Sequence, residues 1–218
     1  PVQAPINVNL SGVIGAPFEF LHKRLVVSED QIDIARSLVI VDREALTITL
    51  VTNENDVYKK GLVVGSAKIH PKFAEFGINT GRSWEPNELG QFFKMNRAYF
   101  PDKSENMQLV TVLRNFVAKI NAQIDKQKDE SGSFADNYSG VVTSNLPGAF
   151  KLKIQLFKGF PAEVFEVEFY ASINGRSVFL QLYSPGANES IEEIRNSIID
   201  EEIKKFREFQ PNLAIIEQ

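Results

Sequence analysis

The sequence predicts an α+β fold: an antiparallel β-sheet with a C-terminal three-strand meander, packed by amphipathic helices. Three observations carry that prediction. Residues 150–183 alternate apolar and polar side chains across two turn signals, as a sheet with one buried face requires. Residues 104–128 place Leu109, Leu113, Phe116, Val117, Ile120 and Ile124 on one helical stripe. Residues 189–209 repeat that pattern with Ile191, Ile194, Ile198 and Phe206, and Ile203 near its edge.

Residues 1–20 read as an extended arm, rich in Pro, Gly, Asn and Val. Such a segment lies on the chain's own surface, lies on a neighbour, or stays loose. Residues 21–218 read as a single α+β domain, since no repeat, low-complexity block or linker divides them. Residues 37–41 (SLVIV) and 45–52 (ALTITLVT) read as strands around an Asp42-Arg43-Glu44 turn, and residues 62–70 as another strand. Glu85-Pro86 starts a helix, with Pro at its first position, and Pro101 ends the aromatic-rich stretch that follows. Residues 140–144 (GVVTS) read as a short strand.

The meander's register follows from its turns. A turn at residues 158–161 sets Lys153 against Glu166 and Lys151 against Glu168, with Phe150, Leu152 and Ile154 meeting Phe169, Val167 and Phe165. An Asn174-Gly175 turn then sets Phe169 against Leu180 and Val167 against Leu182. The last helix, acidic at its start and basic in its last turns, is expected to cover the resulting apolar face. After Pro211, Leu213–Ile216 is read as one more strand, closing the chain's own sheet edge or adding to a partner's.

Composition excludes several chemistries. The 218 residues include no Cys and two His. Disulfide scaffolds, thiolate zinc sites, iron–sulfur clusters and cysteine nucleophiles are therefore out of reach. Residues 1–183 carry as many acidic as basic side chains, and the net charge of −4 lies on residues 184–218. A neutral body lacks the field that drives non-specific nucleic-acid binding. No basic-then-apolar leader and no apolar run of membrane length are visible, so a cytoplasmic protein with no membrane partner is expected.

The search for a catalytic or cofactor site returns none. Gly61–Lys68 (GLVVGSAK) fails the phosphate-loop spacing, because Ser66-Ala67 separate the glycine from the lysine. His70 before Pro71 lacks a visible partner for general-base work, and His22 is a weaker candidate still. Asp125, Asp129, Glu130 and Asp136 gather around a loop but lack ligand periodicity. Glu163, Glu166 and Glu168 read as a charge ladder. Lys151, Lys153 and Lys158 among Phe157 and Phe160 form the one candidate contact surface, for a protein partner or for single-stranded DNA. Trp84, Phe92, Phe93, Tyr99 and Phe100 form an aromatic block assigned to the core, and 17 Phe leave material for an exposed apolar patch. No cofactor and no metal are expected, and the chain reads as non-enzymatic.

The order of these features resembles the YfdQ-like proteins, a phage and prophage family of unknown function. The resemblance lies in E-P-N-E-L-G-Q-F-F (residues 85–93) and in Pro147, Phe150, Leu152, Ile154, Phe157 and Gly159, which match a Pro-x-x-Phe-x-Leu-x-Ile-x-x-Phe-x-Gly strand. It covers residues 30–210 and carries over no catalytic residue. It implies a phage protein working inside a bacterial host. The expectation is a phage-derived protein acting through protein–protein contacts, as a homo-oligomer or with another phage or host protein. The alternatives are a single-stranded-DNA-binding accessory protein and a structural component of the phage particle.

Overall fold

In the computed structural model, the structure describes residues 8–27, 31–127 and 134–218. The chain gathers into two compact units, one built from Pro1–Lys68 with Ile191–Gln218 and the other from Ile69–Ser190. No linker-like composition marks either crossing.

The first unit holds strands β1 (Val8–Val13), β2 (Leu38–Asp42), β3 (Thr47–Thr52), β4 (Gly61–Ser66) and β8 (Ala214–Glu217), in the spatial order β1-β4-β3-β2-β8. The β2–β3 and β3–β4 pairs are antiparallel, whereas β1 runs parallel to β4 and β8 parallel to β2. Thus residues 8–13 of the expected arm are an edge strand of the chain's own sheet, residues 16–20 are helical rather than extended, residues 1–7 lie outside the described residues, and the tail closes the opposite edge. Period-two alternation puts Val39 and Val41 beside Leu50 and Ile48, all fully buried. The β2–β3 turn is fixed by Asp42, whose carboxylate accepts the Ala45 N–H at 2.9 Å.

Helix α1 (Ala16–Leu25) follows β1, and its Pro17 packs on Gly65 of β4. A Cβ at Gly65 would lie 2.6 Å from the Pro17 ring and 2.8 Å from the carbonyls of Val13 and Ile14. Gly65 is therefore a packing glycine inside a strand, and residues 61–66 form no phosphate loop.

Helix α6 (Pro185–Phe209) begins in the second unit and belongs to the first from Ile191 onward. Its Phe206 meets Phe18 of α1 edge-on at 5.5 Å, and Ile199, Ile203 and Phe206 are buried. This corrects the expected role of that helix. From Ile191 it belongs to the unit of the five-stranded sheet, where its Phe206 packs on α1. Its apolar stripe fits either layer, and the stripe alone carries no address.

The second unit contains α2 (Pro71–Phe76), α3 (Pro86–Met95), α4 (Lys103–Lys126), α5 (Phe134–Asn145) and the sheet β5 (Phe150–Gln155), β6 (Ala162–Asn174), β7 (Ser177–Tyr183). Asp102 caps α4 by accepting the N–H groups of Ser104 and Glu105. Gly90 lets α3 approach α4 closely, since a Cβ there would lie 3.2 Å from that of Leu113. Phe93 of α3 packs on Phe150 and Phe100 at 5.0 Å each, so α3 and the segment before α4 supply the cover of the meander's apolar face. The stretch 140–144 is helical rather than a strand. Tyr138, Val141 and Val142 share one buried helical face, and the Tyr138 hydroxyl donates to the Arg176 carbonyl at 2.7 Å. Burial on that face overrides the β-propensity of Val-Val-Thr.

The meander forms with the expected faces but a register moved by two residues in both hairpins. Lys151 lies opposite Glu166, Lys153 opposite Val164, and Phe150 opposite Val167. Phe169 lies opposite Leu182 and Ala171 opposite Leu180. The turn chemistry explains both shifts. In the first hairpin the Phe160 N–H closes on the Phe157 carbonyl, with Gly159 at φ 87° as the third residue of the turn. In the second, the two-residue loop is Gly175-Arg176, with Gly175 at φ 63° in the first central position, the type II′ arrangement. Asn174 stays in the strand. A shift of two conserves the faces, because side chains repeat every two residues.

Candidate binding face

The inner residues of the meander (Leu152, Ile154, Val167, Leu180, Leu182) are buried, which turns the alternate positions outward. Strand β5 presents Lys151 and Lys153, both exposed. Strand β6 presents Val164, Glu166, Glu168 and Tyr170, all exposed. Strand β7 presents Phe179, Gln181 and Tyr183. Tyr170 is 61% and Val164 55% exposed. The Tyr170 and Tyr183 rings meet edge-on at 5.9 Å, and the Gln181 amide donates to the Ser83 hydroxyl at 3.2 Å. The face therefore carries two cations, two carboxylates and an aromatic pair in adjacent rows.

The five residues proposed from sequence separate on this frame. Lys151 and Lys153 lie on the face, and Lys158 is exposed in the β5–β6 turn. Phe160 is half-buried. Phe157 is 2% exposed and pairs with Ile69 in an isolated antiparallel bridge, so its ring is unavailable for stacking or for a partner. The strand leaves the meander at Leu156, where the His70 N–H donates to the Leu156 carbonyl at 2.8 Å, and this bend carries Phe157 inward. Val164, Tyr170, Phe179 and Tyr183 were missed. Their common parity with Glu166 and with Gln181 was the signal available in the sequence.

The candidates for chemistry find structural places. The Nδ1 of His70 accepts the Lys72 N–H at 3.1 Å and caps α2. His22 stacks on Phe18 and meets Phe209 edge-on, ring centroids 5.5 and 4.8 Å apart. Of the acidic loop cluster, Asp129 and Glu130 lie outside the described residues. Among the described residues no three His, Asp or Glu side chains are grouped to hold a metal ion, and no helix is long and apolar enough to cross a membrane.

One cluster of charges was not anticipated. Arg43, at the β2–β3 turn, donates from Nε and Nη2 to the two carboxylate oxygens of Glu217 at 3.2 and 2.9 Å. It also donates to Asp200 at 2.7 Å and to Asn196 at 3.3 Å, both on α6. The hydrogen bonds from Arg43 hold the Glu217 carboxyl below its ordinary range. This fork ties turn, helix and C-terminal strand within one unit. Of the other concavities, a 270 Å³ groove over Gly90 is lined by Asn87, Gln91, Lys94 and Arg114.

No protein-family model matches this chain, and no curated protein and no solved structure matches it significantly.

Proposed function

We propose that this chain is a phage-derived binding protein rather than an enzyme, that it assembles as an oligomer, and that it contacts other protein through the outer face of the meander. The observation that carries the reading is the composition of that face. Tyr170, Tyr183 and Val164 stand exposed beside Lys151, Lys153, Glu166 and Glu168. Such a surface suits a protein partner that brings carboxylates to the lysines, cations to the glutamates and an apolar patch to the rings. Two further observations support a non-catalytic reading: His70 is engaged as a helix cap, and Glu166 lies opposite Lys151. The phage origin is supported by the sequence motifs of residues 85–93 and 147–159.

A second reading has its own support. Lysines on one strand and aromatic rings on its neighbours are the parts of a single-stranded nucleic-acid platform. Glu166 and Glu168 oppose it, because a phosphate backbone crossing the face meets both.

Light scattering on the eluting full chain, with chromatography on immobilised single-stranded DNA in parallel, tests the two. The expected result is a mass that is a multiple of 24.5 kDa and no salt-graded retention. A single-chain mass combined with retention that falls steeply with salt replaces the first reading by the second.

A further inference from the structure

The free edge of the five-stranded sheet points to the contact between copies. Strand β1 is exposed at all six positions, VNLSGV, and among the described residues no strand lies on its far side. Leu10 is 49% and Val13 74% exposed. An edge strand offers a row of backbone donors and acceptors, and monomeric proteins guard such edges with charge, Pro, bulges or brevity. Strand β1 has none of these: residues 8–13 contain no Lys, Arg, Asp, Glu or Pro, and all six pair in unbroken register with β4. The opposite edge is guarded. Strand β8 is four residues long, and Arg43 holds its Glu217.

We propose that β1 pairs antiparallel with β1 of a second copy, about a two-fold axis through Leu10, joining two five-stranded sheets into one. The inference rests on the oligomeric reading above and names its interface. The strand complements itself in that register. Leu10 meets Leu10, Val8 meets Gly12, a large side chain against none, and Asn9 meets Ser11, two hydrogen-bonding side chains. A charged strand would oppose its own charge about a two-fold axis, and this strand is neutral. The axis stands normal to the sheet, so the faces of the two copies match, as the period of two requires.

The chain has no Cys, so an introduced thiol is unique. The test uses the full chain and three variants. Wild type is expected at twice the 24.5 kDa chain mass by light scattering. Leu10→Lys, which installs an edge guard, is expected at half the wild-type mass with unchanged circular dichroism. Leu10→Cys is expected to form a disulfide-linked dimer on mild oxidation. Val13→Cys is not, because its two copies would stand about 20 Å apart at ~3.3 Å per residue. A wild-type-like mass for Leu10→Lys, or equal cross-linking of the two Cys variants, overturns the β1 interface and leaves the oligomeric reading standing. A wild-type chain that stays monomeric at every concentration overturns both. If Leu10→Lys misfolds, the pair of Cys variants decides.

Discussion

Arg43 and Glu217 form a two-pronged ion pair across 174 residues of sequence, with N···O distances of 2.9 and 3.2 Å. One group sits in the turn of the β2–β3 hairpin and the other on the last strand. The pair joins the four backbone pairings of β8 with β2, the Gln218 N–H bond to the Val41 carbonyl and the burial of Leu213 in fastening the tail.

The pH dependence of that attachment has a definite sign. The Glu217 carboxyl titrates below its unperturbed value of 4.5 in the folded chain, chiefly through the hydrogen bonds from Arg43. A carboxyl with a lowered folded-state pKa stabilises the fold above its unfolded pKa and loses that contribution as pH falls through the folded one. Amide exchange at residues 214–217 is therefore expected to be slow at neutral pH and to quicken below pH 4.5 relative to the rest of the sheet. In Arg43→Met that pH dependence is expected to vanish and protection at neutral pH to fall. Unchanged protection in Arg43→Met would remove the ion pair as the anchor.

Register in the meander is readable by charge reversal. Lys151→Glu places like charges opposite each other at Glu166 and is expected to cost about 0.2–1 kcal/mol in denaturant unfolding. Lys153→Glu, opposite Val164, is expected to cost less. The reverse order would restore the register that the turns alone suggest.

Two glycines should respond in opposite directions. Gly140 lies inside α5 with nothing within 4 Å of an added Cβ, so Gly140→Ala is expected to stabilise by about 0.4–1 kcal/mol. Gly65→Ala drives a methyl into two backbone carbonyls at 2.8 Å and is expected to destabilise by roughly 1–3 kcal/mol. Thermal melts of both variants check this. A destabilised Gly140→Ala would count against a helix at residues 134–145.

Rings placed outward should matter little to folding. Tyr170→Ala is expected to change unfolding free energy by less than about 1 kcal/mol. Phe150→Ala on the inner face is expected to cost about 3–5 kcal/mol. Equal losses for the two variants would show that the outer face is covered within the folded chain.

The sequence made elements legible wherever one periodicity dominated. The stripe of α4, the Pro86 start of α3 and the inward and outward faces of β5–β7 all follow from local spacing. What local spacing leaves open is which partner an element takes. The stripe of α6 suits any apolar layer, and only the tertiary placement of Phe206 beside Phe18 selects one. The two hairpin registers turned on which position of each turn the glycine occupies, at Gly159 and Gly175, a choice of one residue that moves each pairing by two. At residues 140–144 a β-favouring run is helical because Tyr138, four residues before Val142, completes a buried face. On the outer face of the meander, Lys151 and Lys153 were visible because charge stands out in a strand. Tyr170 and Tyr183 were not, because an aromatic residue reads as core until its parity is followed.

The first unit is discontinuous in sequence, and that sets an order in time. Residues 1–68 cannot be completed until residues 191–218 exist, and the whole second unit is synthesised between them. At ~5–20 residues per second, the 174 residues separating Arg43 from Glu217 take roughly 10–35 s to translate. For that interval the nascent β2 edge awaits its β8 partner, and Phe18 of α1 awaits the Phe206 end of α6. The second unit, contiguous in the chain, has no such wait. The nascent chain is thus expected to acquire protease resistance in its middle before its beginning, the reverse of the order in which its residues leave the ribosome.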